Sequence, residues 1–353
     1  MSESIYMEGP VCPVPIRDRG QVIMGHGSGG KLSQELIADL FLPPLDNPIL
    51  RAGNDAGLIE MDNGPNLAIS TDSHVVWPLF FRGGDIGRLA VCGTVNDVAM
   101  MGARPQYLTA GFILEEGLEL GILEQVVVSM RHAALEAGVQ IIAGDTKVVE
   151  RGKADGLYIN TAGVGQLLGD VKIGGERAQP GDVVILSGPI GDHGIAVLEA
   201  RGELGFETDL QSDVAPLNHL VEAMLATSAN IHVLRDPTRG GIASSLNEIA
   251  GQSQVGIVLD EKAIPIRPAV QAACEMLGFD ALYIANEGKL LAIVAQDDAA
   301  AVLEVMRRTR YGEASVIIGR VEAEPRARVL MKTGIGTTRI VDLMAGEMLP
   351  RIC

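Results

Sequence analysis

Basic residues are scarce: 28 lysines and arginines stand against 45 aspartates and glutamates in 353 residues, a formal net charge of −17. A duplex is held by positive charge, so no nucleic-acid surface is expected. Cysteine is rarer still, with only Cys12, Cys92, Cys274 and Cys353 and no Cys-x-x-Cys pair. Neither a disulfide framework nor a zinc knuckle follows from such scatter. No apolar run approaches the ~20 residues that cross a bilayer, and Met1-Ser2-Glu3-Ser4-Ile5 lacks the basic then apolar start of a secretory leader. A cytoplasmic protein with no membrane partner is the expectation. The acidic balance still permits one small phosphate ligand, because Mg²⁺ held between carboxylates and phosphate oxygens reverses the local sign.

What is present is apolar residue and glycine. Hydrophobic residues make up 47% of the chain, enough at this length for two domains. The 43 glycines have no Gly-X-Y period, so they mark turns and close backbone approaches. Residues 1–45 read as a Pro-rich arm (Pro10, Pro13, Pro15), a short strand at Gln21–Met24, a glycine loop, and a helix from Lys31 to Leu42 that Pro43-Pro44 ends. From 46 to 168, strand-like runs at 67–69, 107–109, 139–142 and 157–159 alternate with helical ones at 86–101 and 120–137, which predicts an α/β domain. Pro180-Gly181 lies in a Gly- and charge-rich boundary region. A second α/β domain is expected over 169–332, with strands at 183–186, 255–259 and 290–294 and helices near 194–200, 217–226, 240–250 and 299–308. Residues 333–353 form an electrically neutral, flexible C-terminal tail whose apolar residues could dock it, and Pro350 keeps Arg351-Ile352-Cys353 out of any helix.

Three constellations carry chemistry. Gly25-His26-Gly27-Ser28-Gly29-Gly30-Lys31 fits Gly-x-x-x-x-Gly-Lys, but Leu32 offers no hydroxyl to a metal, so it is not a Walker loop. It is either a loop that closes over phosphate with Lys31 as a point charge or a plain glycine connector. Four acidic turns follow, Asn54-Asp55-Ala56-Gly57, Ser70-Thr71-Asp72-Ser73, Asn96-Asp97 and Ala143-Gly144-Asp145-Thr146-Lys147. Singly each is a cap or turn; together they read as hard oxygen ligands for Mg²⁺ and nucleotide phosphates. In the second half, Gly188–Gly194, Asp236-Pro237-Thr238-Arg239-Gly240-Gly241 and Asn286-Glu287-Gly288-Lys289 are tight turns, and Arg239 can reach a phosphate or carboxylate.

These motifs, with the terminal Pro350-Arg351-Ile352-Cys353, resemble the carbamoyl dehydratase family of hydrogenase maturation, in the superfamily of aminoimidazole ribonucleotide synthetase and selenophosphate synthetase. The likeness runs from about Gly25 to Cys353. It implies a two-domain, PurM-like α/β (α+β) fold whose N-terminal sheet forms a dimer barrel, hence a homodimer. It implies an ATP- and Mg²⁺-dependent enzyme that dehydrates a carbamoyl group on its own Cys353 to a thiocyanate, a source of cyanide ligands for the [NiFe] hydrogenase iron. A carbamoyltransferase, HypF, would load the thiol, and a HypC–HypD complex would accept the cyano group. By the same resemblance Asp55, Asp72, Asp97 and Asp145 are metal and nucleotide-phosphate groups, with Asn96 and Lys31 beside them. Lys147 and Glu287 are catalytic with Cys353, moving protons from the thiocarboxamide nitrogen; the plainer reading has Lys147 neutralising Asp145 and Glu287 capping a turn. A selenophosphate synthetase would need a thiol or selenol beside the glycine loop, which is absent, and aminoimidazole ribonucleotide synthetase has no use for a terminal cysteine. A non-catalytic scaffold that ligates metal through Cys353 is the alternative from another class, separable because it would not hydrolyse ATP.

Overall fold

Period-two burial organises the first half of the computed structural model, which describes residues 21–205, 208–344, 349 and 351–353. The arm at 1–20, with Cys12, and Pro350 lie outside the described residues. Strands β1 (Gly57–Ile59), β2 (Leu67–His74), β3 (Phe80–Phe81), β4 (Gly84–Asp85), β5 (Ala103–Glu115), β6 (Gln140–Val149) and β7 (Leu157–Leu167) come first. Five of them make a sheet in the order β1-β2-β7-β5-β6, parallel only between β5 and β6. Alternate residues of β7 are buried while those between are not, as expected where one face is covered. The cover includes α4 (Ile86–Met100), the fourth helix after α1 (Lys31–Leu36), α2 (Leu42–Leu45) and α3 (Pro48–Arg51). Asp85 caps α4 by accepting from Gly87 N at 2.8 Å and Arg88 N at 3.1 Å. The helix is apolar almost all round because it also packs on α5 (Leu120–Ala137) and the second half of the chain. Its seat on β7 depends on Gly163, where a Cβ would come within 2.7 Å of the Thr94 methyl.

The second half continues with β8 (Val183–Leu186), α6 (Asp192–Ala200), α7 (Asn218–Thr227), β9 (Ile231–Arg235), α8 (Gly241–Ser253), β10 (Gly256–Asp260), α9 (Pro268–Leu277), β11 (Leu291–Val294), α10 (Gln296–Arg308), β12 (Val316–Glu322), β13 (Arg328–Lys332) and β14 (Thr338–Val341). Its sheet runs β14-β13-β10-β12-β8-β11-β9. One face packs residues of α8 and α9 in a core that includes Leu246, Ile249 and Val270. The other packs α7 and α10 through Leu220, Met224, Val302 and Met306. Asn96 of α4 bolts the halves together: its amide donates to Ala215 O at 3.1 Å and accepts from Leu217 N at 2.8 Å.

Several local expectations change. No strand forms at 21–24, where residues 24–27 make a 3-10 turn, and the helix from Lys31 widens at Ile37–Phe41 and runs on through α2 to Leu45, so Pro43-Pro44 lie within its last turn instead of ending it at Leu42. The stretch read as tail begins with β14, which pairs with β13. Of the four acidic turns, Asp72 and Asp145 lie within strands and Asn96-Asp97 within α4. At Asp72 and Asn96-Asp97 these polar residues mark a covered face that has become a site, whereas Asp145 lies on the exposed strand β6.

Candidate functional site

The inner face of β2 reads Ala68, Ser70, Asp72, His74, turning from apolar to polar along one strand. Where it turns polar, α4 places Asp97 opposite, and Ser70 Oγ donates to Asp97 Oδ2 at 2.7 Å while lying 3.0 Å from the Asp55 carbonyl. The end of β9 brings Arg235 and Asp236 from the other sheet. Arg235 pairs with Asp55 at 2.7 Å and with Glu248 at 3.6 Å. Asp55, Asp97, Arg235, Asp236 and Glu248, with Arg239, Thr238 and the glycine loop, line a cavity of about 310 Å³.

The cavity is under-neutralised. Burial pushes the Asp55 carboxyl up to about 6 despite Arg235, and burial followed by the charge of Asp55 pushes Asp236 up to about 8. Asp97 is driven well above the carboxylate range by burial, then by Asp236 and Asp72. Carboxyls crowded in a dry pocket favour either protons or a cation. Among the described residues no three His, Cys, Asp or Glu side chains are grouped so as to hold a metal by themselves.

Beside this cavity lies the thiol of Cys353. Ile352 and Cys353 are 2% and 8% exposed and belong to the core around α4. Their main chain is held from three sides: Val75 N donates to the Cys353 oxygen at 3.1 Å, Arg201 Nη2 to Arg351 O at 2.6 Å, and His193 Nε2 to Ile352 O at 2.8 Å. Ser212 completes His193 at Nδ1, 2.8 Å away, and burial keeps that imidazole neutral by lowering its pKa. Arg351 pairs with Asp155 at 2.6 Å. The Glu287 carboxyl acts on the thiol, and burial raises both groups well above their ordinary values. Glu287 is itself set by Asp213, which accepts from Glu287 N at 3.0 Å and pairs with Lys289 at 3.1 Å. The charge of Arg239 falls on Cys353 and Glu287, opposing their upward shifts, so this cavity-lining arginine serves both places.

Of the residues singled out in the sequence, Asp55, Asp72 and Asp97 act on one another electrostatically at the cavity, and Cys353 and Glu287 meet next to it. Asn96 spends its amide on the backbone of 215–217. The side chain of Lys31 is exposed, and its N–H takes Met344 O at 3.0 Å. Asp145 and Lys147 pair with each other at 2.6 Å on exposed β6, 70% and 69% open to solvent. The glycine loop wraps protein: a Cβ on Gly29, at φ +72°, would stand 3.0 Å from Arg239 Cβ and O. Sequence reasoning did not single out His74, Arg201, Asp155, Arg235 or Glu248. The period of two from Asp72 to His74 was the available signal for the first; the others come from remote segments.

Comparison with known proteins agrees with this architecture. Residues 53–167 match the AIR synthase related protein N-terminal domain family and residues 179–332 its C-terminal domain family. The chain is 54% identical over 334 residues to the carbamoyl dehydratase HypE of Cupriavidus necator, covering 95% of each, and 45% identical over 334 residues to that of Escherichia coli, covering 94% of this chain and 98% of the relative. Among solved structures, a HypE in complex with ATP superposes with a TM-score of 0.79 at 52% identity, over 94% of this chain and 100% of the other. A HypE–HypF complex gives 0.83 at 49% identity, over 88% and 99%. The chain therefore belongs to the HypE family of carbamoyl dehydratases, the hydrogenase maturation branch of the AIR synthase related proteins.

Proposed function

We propose that this protein is an ATP-dependent dehydratase acting on a carbamoyl group carried by its own Cys353, and that the observation carrying this reading is the Cys353 thiol lodged against Glu287 beside the acidic cavity. The reaction takes the thiocarboxamide to a thiocyanate. A new bond forms between the γ-phosphorus and the amide oxygen as the bond to the β-phosphate oxygen breaks, releasing ADP. The C–O bond then breaks, the oxygen leaving with phosphate, and both nitrogen protons depart as the C≡N bond forms. Phosphorylation matters because an amide oxygen leaves poorly as hydroxide and well as phosphate. Glu287 takes a nitrogen proton, a role suited by a carboxyl whose affinity for protons burial has raised.

The nucleotide phosphates enter the cavity, with Arg239 between them and the thiol. Asp55, Asp72 and Asp97, joined by Asp236, are the carboxylates that would hold Mg²⁺; their oxygen donors and mutual repulsion suit a hard dication that takes its remaining ligands from phosphate and water. When bound, that ion neutralises phosphate charge. Asp145 and Lys147 enter through a homodimer. The edge strand β6 leaves Ile141, Ile142 and Val148 39%, 59% and 67% exposed, an unpaired edge of the kind proteins cover, and a second copy there would cover these two residues as well.

The HypF named in the solved complex of a relative is the proposed carbamoyl donor, a HypC–HypD complex the acceptor of the cyano group, and the cytosol, which keeps a free thiol reduced, the proposed compartment. No helix among the described residues is long and apolar enough to cross a membrane. The test is intact-protein mass spectrometry after carbamoylation: ATP should remove the mass of one water, and the change should map to the peptide holding Cys353. Loss of that mass from a Cys353→Ala chain would overturn the reading.

A further inference from the structure

His74 stands out because it is 1% exposed and neither ring nitrogen has a hydrogen-bond partner. Asp72 Oδ2 stands 3.6 Å from Nε2, beyond hydrogen-bond reach. A histidine kept for packing alone finds partners, as buried His193 does with Ser212 and Ile352. The ring is also given room: a Cβ on Gly93 of α4 would stand 3.0 Å from His74 Cε1. The next residue, Val75, just past the end of β2, donates its N–H to the main-chain oxygen of Cys353. Glu287, which acts on the Cys353 thiol, likewise keeps one buried oxygen, Oε1, without a partner.

We propose that His74 and Glu287 Oε1 form a carboxamide-reading subsite, in which His74 hydrogen-bonds the carbamoyl group on Cys353 and orients its oxygen towards the nucleotide cavity. The inventories match. A neutral imidazole presents one donor and one acceptor and a carboxylate oxygen presents an acceptor, while a carboxamide presents two N–H donors and a carbonyl acceptor. The bare thiol cannot satisfy these atoms; the loaded one can. Orientation about the S–C bond is what phosphoryl transfer to oxygen requires, since the amide nitrogen would otherwise face the phosphate as readily. This inference rests on the reading of Cys353 as carrier.

The experiment uses the full chain loaded by its carbamoyltransferase, with ATP added in a single turnover and the Cys353 peptide followed by mass. His74→Leu should load normally and bind ATP as wild type does, yet lose the mass of water roughly 100-fold more slowly, the worth of a positioned polar group. His74→Gln or His74→Asn, which restore a donor and an acceptor, should come back to within roughly tenfold of wild type. His74→Phe, which keeps a ring, repeats the test if leucine disturbs folding. A His74→Leu or His74→Phe rate within roughly threefold of wild type overturns the subsite, as does equal slowing in all the variants or a shared loss of ATP affinity. Failure of the carrier reading is separate and visible first, because wild type itself would then show no loss of water at Cys353.

Discussion

Replacing Ile352 by alanine should free the thiol one residue away without touching any group assigned to the chemistry. Ile352 is 2% exposed, in a core that also holds Val76, Val197 and Val214. Removing three of its carbons forfeits ~0.8 kcal/mol each, and the cavity left behind adds to this, for about 2.5–4 kcal/mol of lost docking. At 1.4 kcal/mol per tenfold, the ratio of undocked to docked tail rises roughly 60- to 700-fold. Docked, Cys353 is shielded twice, by burial and by a thiol pKa that burial pushes up, so alkylation proceeds through the undocked fraction. The assay is the rate of iodoacetamide labelling of Cys353 at neutral pH, read on its peptide so that Cys12, Cys92 and Cys274 do not interfere. Asp155→Ala supplies the scale, because its pair with Arg351 is half-exposed and worth under about 1 kcal/mol, or less than roughly fivefold. Equal labelling in wild type and Ile352→Ala, or a larger effect from Asp155→Ala, would refute the docking argument.

Asp97→Ala should abolish ATP turnover while circular dichroism and thermal unfolding stay native, because Asp97 brings charge to a cavity and no volume to a core; wild-type turnover would remove it from the phosphate site. Glu287→Gln should retain ATP binding, measured by calorimetry, but slow dehydration by about 10²–10⁴-fold; loss of affinity alone would make it structural. If the proposed homodimer forms through β6, Ile142→Glu should convert it to monomer in light scattering, with an unchanged mass refuting that interface. Burial raises the Asp192 carboxyl to about 6, so the folded state binds its proton more tightly than the unfolded chain, and this contribution to stability is full below about pH 4 and lost as the pH rises through 6. Asp192→Asn should therefore lose less of its urea midpoint between pH 4.5 and 7.5 than wild type does, and an identical pH dependence would sink the assignment.

Much was legible in the chain because it depends on local pattern. Alternation and helical spacing gave α5 its observed limits and α4 within a residue, and both use side chains whose burial follows from periodicity alone. The strands not foreseen include β1, β9, β12, β13 and β14, because strand propensity is settled by partners elsewhere in the sheet. The recurrence of acidic turns likewise brought out Asp55, Asp72 and Asp97 as a set, and the family resemblance added Glu287 and Cys353. Tertiary structure alone decided what those residues face. It turned the glycine loop onto Arg239 and the tail, gave Asn96 to the join between the halves, and left Asp145 and Lys147 on an open edge strand. It also held the segment from Arg351 to Cys353 with Val75, His193, Arg201 and Asp155, drawn from separate parts of the chain. The sequence determined which groups are available, because residue type sets charge, donors and nucleophilicity. Which of them are dry, paired or left without a partner depends on burial and distance between remote segments, and those exist only once the chain is folded.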